Sequence, residues 1–434
     1  MVSFLGKYYH INNLLRVKLI LFLNAVFQMS IDLFSKIQSR YPSSLDRNIS
    51  LILLINMVFT IPWGLIQPFI SPYFFELTQG DYYLTGLLNG IPLMTMVVSV
   101  FVFGWIVDKI GSKIVMMAGF IIFIILFITL LLISDPLLFF IDYIILYSLL
   151  SCFNPAVLKY TSLLQSKINI FGALAASTSF GYFLGSYVGG NLFDIFGMDL
   201  LYFLGLLVCI FGFILVLFVT DLQNEEAITL PYSSNPNNSN SQNILSILFN
   251  SRILVVLLII GVIQSLQGSF AGMFFSVYFI SELGAPASLL GLVFGIATLA
   301  GTFASHYAGK FGEKRGYKPI LFICYVGYLL IWTTMYFSVN DYVLPALAYT
   351  LPIYIGLMVT GPVIITKYVP EKRRGTFMGL FSGSQNLGFG IGTILGGVYA
   401  GIQQTIRFNF GVSAILSVIL ILFLLIAFKE EKRG

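Results

Sequence analysis

The sequence predicts an all-α polytopic membrane protein, with twelve transmembrane helices in two pseudo-symmetric six-helix bundles. Three observations lead there. Of 434 residues, 58% are hydrophobic and only 9% charged; a chain of this length folding in water needs a far more charged surface. Apolar stretches of about 20 residues recur, each enough to cross a hydrocarbon core of about 30 Å as a helix. One spacing of five glycines occurs twice, 207 residues apart.

In chain order, an arm over residues 1–49 comes first. Its stretch 14–36 is apolar but carries Arg16, Asn24, Gln28, Asp32 and Lys36 as a polar stripe at helical spacing. That pattern predicts an interfacial helix along the inner leaflet rather than a thirteenth span. No clear small-residue cleavage site follows the apolar run, so a removed signal segment is not expected. Six spans are expected at 50–71, 84–106, 114–134, 138–158, 170–190 and 199–220, forming a bundle over 50–220. Six more follow at 253–277, 286–307, 319–338, 342–366, 376–400 and 408–428, within a bundle over 251–428. Between them, residues 221–250 contain "SSNPNNSNSQN", whose small polar residues cannot build a core and predict a flexible cytoplasmic linker. Residues 429–434 form a short tail.

Charge sets the orientation. Of 23 Lys and Arg, only Arg407 falls in a loop on one side, where Glu76, Asp81, Asp135, Asp194, Asp199, Glu282 and Asp341 collect. The positive-inside rule then places both termini in the cytoplasm of a cell-membrane protein.

The repeat lies in the fifth and eleventh spans. Gly172, Gly181, Gly185, Gly189 and Gly190 match Gly379, Gly388, Gly392, Gly396 and Gly397, and Pro155 matches Pro362 at the same offset. Small residues allow close helix crossings in any membrane protein. Their repetition at one offset predicts two similar bundles facing a central cavity.

Polar residues at helical spacing are candidates for its lining. Asn56, Thr60, Trp63 and Gln67 share one side of the first span, and Tyr143, Tyr147, Ser151 and Asn154 one side of the fourth. The seventh supplies Gln264 and Gln267, and the tenth Tyr349 and Tyr354. Each of these also suits interhelical hydrogen bonding. As a set they predict a polar and aromatic cavity for a neutral or amphipathic small organic solute. Asp142 is the only plausible intramembrane carboxylate and the candidate protonation site. Three Cys in apolar segments and two His exclude a disulfide framework and a His-based metal site. No catalytic constellation is visible, so an enzyme is not expected, nor a metal, a cofactor or a nucleic-acid partner. The expected partners are the solute and the bilayer, with the chain acting as a monomer.

"GWIVDKIGSK" joins the second and third spans. Its Gly104, Asp108, Lys109, Gly111 and Lys113 resemble the Gly-x-x-x-Asp-Lys/Arg-x-Gly-x-Lys/Arg signature of the major facilitator superfamily of secondary transporters. A second copy is read in "SHYAGKFGEKRG", with Ser305 and Gly309 replacing the first glycine and the acid, and Lys310, Gly312 and Lys314 kept. The fifth span resembles that family's antiporter-associated motif, with Ser186, and Thr393 in the other half, in place of its proline. "PEKRRG" resembles the family's link into the eleventh span. The resemblance covers residues 50–428 and implies alternating access, with spans one, four, seven and ten lining the path. It implies that Asp108 meets Arg373 or Arg374 at the start of span eleven, latching the inner side. Export or antiport is expected. Facilitated uniport, proton-coupled import of a sugar, nucleoside or other metabolite, and a transporter-like receptor are the alternatives.

Overall fold

A computed structural model of the chain describes residues 44–133, 135–164, 170–220, 248, 251–370 and 374–428. The helix expected over 14–36, nearly all of the linker 221–250, Arg373 and the tail 429–434 lie outside the described residues. Residues before Leu54 form a unit of their own, and every contact below lies within residues 54–434.

The described residues hold helices and no strand. In order they are α1 Ser44–Leu77, α2 Tyr82–Ile110, α3 Ser112–Leu132, α4 Pro136–Leu150, α5 Phe153–Leu163, α6 Ile170–Phe196 and α7 Met198–Leu217. Then come α8 Arg252–Gly272, α9 Phe275–Val277 with a π turn Tyr278–Glu282, α10 Ala287–Arg315, α11 Lys318–Phe337, α12 Val343–Tyr349, α13 Ile355–Tyr368, α14 Arg374–Gln403 and α15 Arg407–Ala427. Local chemistry sets several ends. Asp81 accepts from the Leu84 N–H and caps α2; Asp135 accepts from Leu137 and Leu138 and caps α4, which opens on Pro136.

Each expected span falls on helix, with two differences. The fourth, seventh and tenth spans are broken, at Ser151–Cys152, at Met273–Phe274 and between Thr350 and Tyr354. Also, eight helices among the described residues are long and apolar enough to cross a membrane, or nine with α2, which bends by 49°. The glycine-rich α6 and α14 miss that standard despite lengths of 27 and 30 residues, because glycine, serine and polar residues dilute their hydropathy. They are instead held by close crossings. The helix pairs in most extensive contact are α8 with α14, α6 with α10, α2 with α14, α11 with α15 and α3 with α7.

Two ends of the molecule can be told apart by charge. The acidic end carries Glu76, Asp81, Asp194 and Glu282, where α1, α6 and α9 finish and α2 and α10 begin. The basic end carries Lys109, Lys113, Lys314 and Lys318, where α2 and α10 finish and α3 and α11 begin.

Candidate functional site

The repeated glycines make two matching crossings. A Cβ on Gly181, Gly185 or Gly189 would fall within 3.0 Å of the backbone oxygens of Met57, Ile61 and Leu65 on α1. On α14, Gly388, Gly392 and Gly396 stand in the same relation to Val262, Leu266 and Phe270 of α8. Each series climbs by four residues on both helices, so both pairs run parallel. The fifth glycines face other partners: Gly190 meets Ala287 of α10, and Gly397 meets Tyr82 and Gly86 of α2. Gly291 packs on Ser186 as Gly86 packs on Thr393. Ser186 and Thr393 are fully buried, where a small side chain lets the backbones close. Gly172 is exposed near the start of α6 and Gly379 half-buried in α14.

Two chambers lie among these helices. The larger, about 320 Å³, is lined by Phe294, Thr298, Tyr328, Trp332, Tyr349 and Tyr354, with Gly272, Met273, Leu351 and Ile353 from the breaks in the seventh and tenth spans. Tyr349 stacks on Phe275 at 4.0 Å, and the Tyr354 hydroxyl donates to Ala297 O at 3.5 Å. The smaller, about 40 Å³, is lined by Trp63, Gln67, Asn89, Tyr143 and Tyr147. Trp63 and Tyr147 lie 4.9 Å apart. Met273 lines both. No charged side chain among the described residues lines either chamber.

Trp63, Gln67, Tyr147, Tyr349 and Tyr354 therefore line a chamber. The others serve elsewhere. Asn56 is buried and its Nδ2 donates to Leu174 O, Ser177 Oγ and Thr178 Oγ1, tying α1 to α6. Thr60 donates to Asn56 O and Met57 O at the Gly181 crossing. Ser151 donates to Ser148 O at the break in the fourth span, and Asn154 is exposed. Gln267 is fully buried and donates to Ser417 Oγ at 3.0 Å, joining α8 to α15. Gln264 is buried outside both linings. In Asn56, Thr60, Ser151 and Gln267 an amide or hydroxyl away from water has taken an internal partner, which the shared helical face could not reveal. Asn89 of the second span and Tyr328 and Trp332 of the ninth also line the chambers, and the sequence reading did not single them out. Asp142 accepts from Thr129 Oγ1 at 2.8 Å and touches neither chamber.

At the basic end Gly111 turns the chain at φ 96°, its N–H bonded to Val107 O. Lys109 lies over the Trp105 ring at 3.8 Å. Lys113 donates to Leu217 O at 3.0 Å, closing the C-terminus of α7. Lys318 does the same for α15 through Leu425 O at 3.1 Å, one residue pair beyond Gly316, which turns at φ 85° and donates to Gly312 O. These matches correct the second copy of the motif. Its members are Gly309, Glu313, Lys314, Gly316 and Lys318, four residues later than the sequence reading placed them. The acid is kept, as Glu313.

A Cβ on Gly104 or Gly309 would meet nothing within 4 Å, so neither glycine makes a close crossing here. Asp108 pairs with Lys159 at 3.0 Å, with its side chain 73% exposed. Lys159 also donates to Val107 O, and Arg374 Nε donates to Val369 O at 3.4 Å. Asp108 and Arg374 therefore make no ion pair with each other here. Val98 and Trp105 of α2 and Phe303 and Tyr307 of α10 are exposed.

The acidic end is shut. Asp194, ending α6, accepts the first two N–H groups of α10, and Glu282 accepts from Tyr82 Oη at 3.0 Å, Thr405 Oγ1 at 2.8 Å and Ile406 N at 2.7 Å. Glycine crossings repeated in the two halves, with helix-terminus hydrogen bonds across one end, fit what comparison finds. The model of the MFS_1 like family matches residues 52–410. The chain belongs to this family.

Two relatives of this MFS_1 like chain are the uncharacterized MFS-type transporter YuxJ of Bacillus subtilis, 34% identical over 110 residues, and the uncharacterized MFS-type transporter MJ1560 of Methanocaldococcus jannaschii, 32% identical over 124. These alignments take in 25% and 27% of this chain, and span only 28% and 31% of the relatives' lengths. Among solved structures, a mutant of the nucleoside transporter NupG superposes with a TM-score of 0.71 at 16% identity, covering 88% of this chain and all of that one. A bacterial homolog of the human lysosomal transporter Spinster, inward-facing and unoccupied, gives 0.70 at 12% identity over 89% and 97% of the two chains. The D-xylose-proton symporter gives 0.68 at 15% over 87% and 98%. The MFS_1 like chain shares their fold and is a multi-pass membrane protein.

Proposed function

We propose that this chain is a secondary transporter moving a small uncharged organic solute by alternating access. The reading has twelve spans in two bundles, 50–220 and 251–428, joined by the cytoplasmic link 221–250, with both termini on the basic, cytoplasmic side. It is not an enzyme. The observation that carries it is the difference between ends. At the acidic end Asp194 and Glu282 bond across helices, and Gly190, Gly291 and Gly397 pack closely. At the basic end Asp108 pairs with Lys159 rather than with Arg374, and both chambers have uncharged linings. A two-state element biased by differential contacts is what alternating access needs. On this reading the state described is inward-open.

The repeated glycine motif supports export or antiport, with Asp142 as the candidate proton carrier. A second reading, facilitated exchange with no coupling ion, is favoured by the uncharged linings and by the distance of Asp142 from both chambers. Purified protein in liposomes, preloaded with a neutral solute, tests the function: counterflow of labelled solute is expected. A ligand that binds without counterflow would make the chain a receptor. Imposed proton and sodium gradients separate antiport from uniport.

A further inference from the structure

The two chambers differ in chemistry and meet at one side chain. The larger has a flat aromatic lining: Phe294, Tyr328, Trp332, Tyr349 and Tyr354. Its volume of about 320 Å³ is about that of ten waters, which suits one or two fused rings and their substituents. Trp332 is 3% exposed, and its Nε1 is buried with no hydrogen-bond partner among the described residues. A buried indole N–H ordinarily finds an acceptor, so a ring bearing a heteroatom or carbonyl would complete it.

The smaller chamber is polar. Gln67 uses Oε1 to accept from Tyr182, and among the described residues no hydrogen bond uses its Nε2. Asn89 donates from Nδ2 to Ser71 Oγ at 2.9 Å and Thr85 O at 3.0 Å, which fixes the amide in place. The Tyr147 hydroxyl and Trp63 indole complete the wall. At about 40 Å³ this chamber takes the hydroxyl edge of an arm rather than a whole second ring.

Met273 sits in both walls, where the seventh span breaks. Its thioether is flexible and packs readily on aromatic rings, so it can move aside without breaking a helix. We propose that the chambers form one bipartite site, taking an uncharged solute built from a flat ring and a hydroxyl-bearing arm. The ring occupies the aromatic chamber, the arm reaches past Met273 to Gln67 and Asn89, and an ionised group is refused because nothing in either wall neutralises it. This rests on the carrier reading and adds the substrate class to it.

The test compares whole probes with their halves on the purified full-length chain. Uridine and phenyl β-glucoside are measured by equilibrium binding against uracil, ribose, phenol and glucose, with uridine monophosphate as the charged control. At least one whole probe is expected to bind tenfold or more tightly than either half, and the phosphate to abolish binding. Tyr349→Leu should weaken whole probe and ring half while sparing the arm half, and Gln67→Leu the reverse. Each variant's ligand-free melting temperature reports folding. Met273→Trp, which fills the junction, should cost the whole probe its advantage and leave the halves unchanged. Halves binding as well as whole probes, equal binding of the phosphate, or no binding of any probe would overturn the bipartite site. Counterflow of some other solute in that case leaves the carrier standing; absence of counterflow for every solute tried removes both.

Discussion

The carboxylate of Asp194 accepts the backbone N–H of Ala287 at 2.8 Å with one oxygen and that of Ser288 at 2.9 Å with the other. It thereby caps α10 from a different helix. Charge and the helix dipole favour an anion at that place, and two charge-assisted bonds hold the acidic end of α6 against the start of α10. The matching start of α2 is capped within its own loop by Asp81. Closure there falls to Tyr82 and Glu282 instead.

Asp194→Ala should therefore release the acidic end without unfolding the chain. The group is exposed, so the loss is about 1–2 kcal/mol, which is roughly five- to thirtyfold in the balance of states. A cysteine placed at Thr298, in the larger chamber, should become more reactive to a membrane-impermeant maleimide added from the acidic side. Unchanged labelling would mean that Asp194 only finishes a helix.

Glycine substitutions should separate folding from closure. Gly185 and Gly392 sit in parallel crossings with α1 and α8, and a methyl group there overpacks by about 1–3 kcal/mol. Gly185→Ala and Gly392→Ala should lower the melting temperature. Gly291 of α10 meets Ser186 of α6 near the shut acidic end, so Gly291→Ala is expected to disfavour that state more than it disfavours folding. Melting curves and labelling from the two sides, run on the same variants, decide between these outcomes.

Lys113 and Lys318 should behave as a matched pair. Each donates to a carbonyl at a helix C-terminus, Leu217 and Leu425, where a cation is favoured by up to about 1 kcal/mol at an exposed site. Lys113→Met and Lys318→Met are expected to cost similar, small amounts of thermal stability. Flux per folded molecule should stay the same. A selective transport defect in Lys113→Met would return it to the gate where the sequence motif had placed it.

What the sequence made legible follows from what hydropathy and charge report. The spans, their alternation and the glycine crossings are periodic or compositional, and Gly181 to Gly397 carried their own register. The broken helices at Met273 and Tyr354 were not legible, because apolar runs continue through them. Helical spacing put Gln264 and Gln267 on the path, but it could not tell a cavity from the Ser417 hydroxyl of a neighbour. The second motif was misplaced by four residues because Lys310, Gly312 and Lys314 repeat the basic–glycine–basic pattern. The backbone decides it: Gly316, at φ 85°, makes the turn that Gly111 makes at φ 96°.

Asp108 and Glu313 are the acids of the two motif copies, and both stand exposed at the basic end. The bond from Asp108 to Lys159 lies in solvent, where such pairs contribute about 0–1 kcal/mol. Its loss should leave the acid-closed state almost unchanged. On the alternating-access reading the basic end comes together in the opposite state, and the start of α14 offers Asp108 a positive helix terminus there. Asp108→Asn is therefore expected to lower transport more than solute binding, with thermal stability in the present state nearly unaltered. Glu313→Gln should act in the same direction if the two copies share the work, and the double variant should exceed either single one. Flux and binding measured on the same purified preparations provide the comparison. Equal losses in the two measurements, or full transport in Asp108→Asn, would rule out a latch at this end.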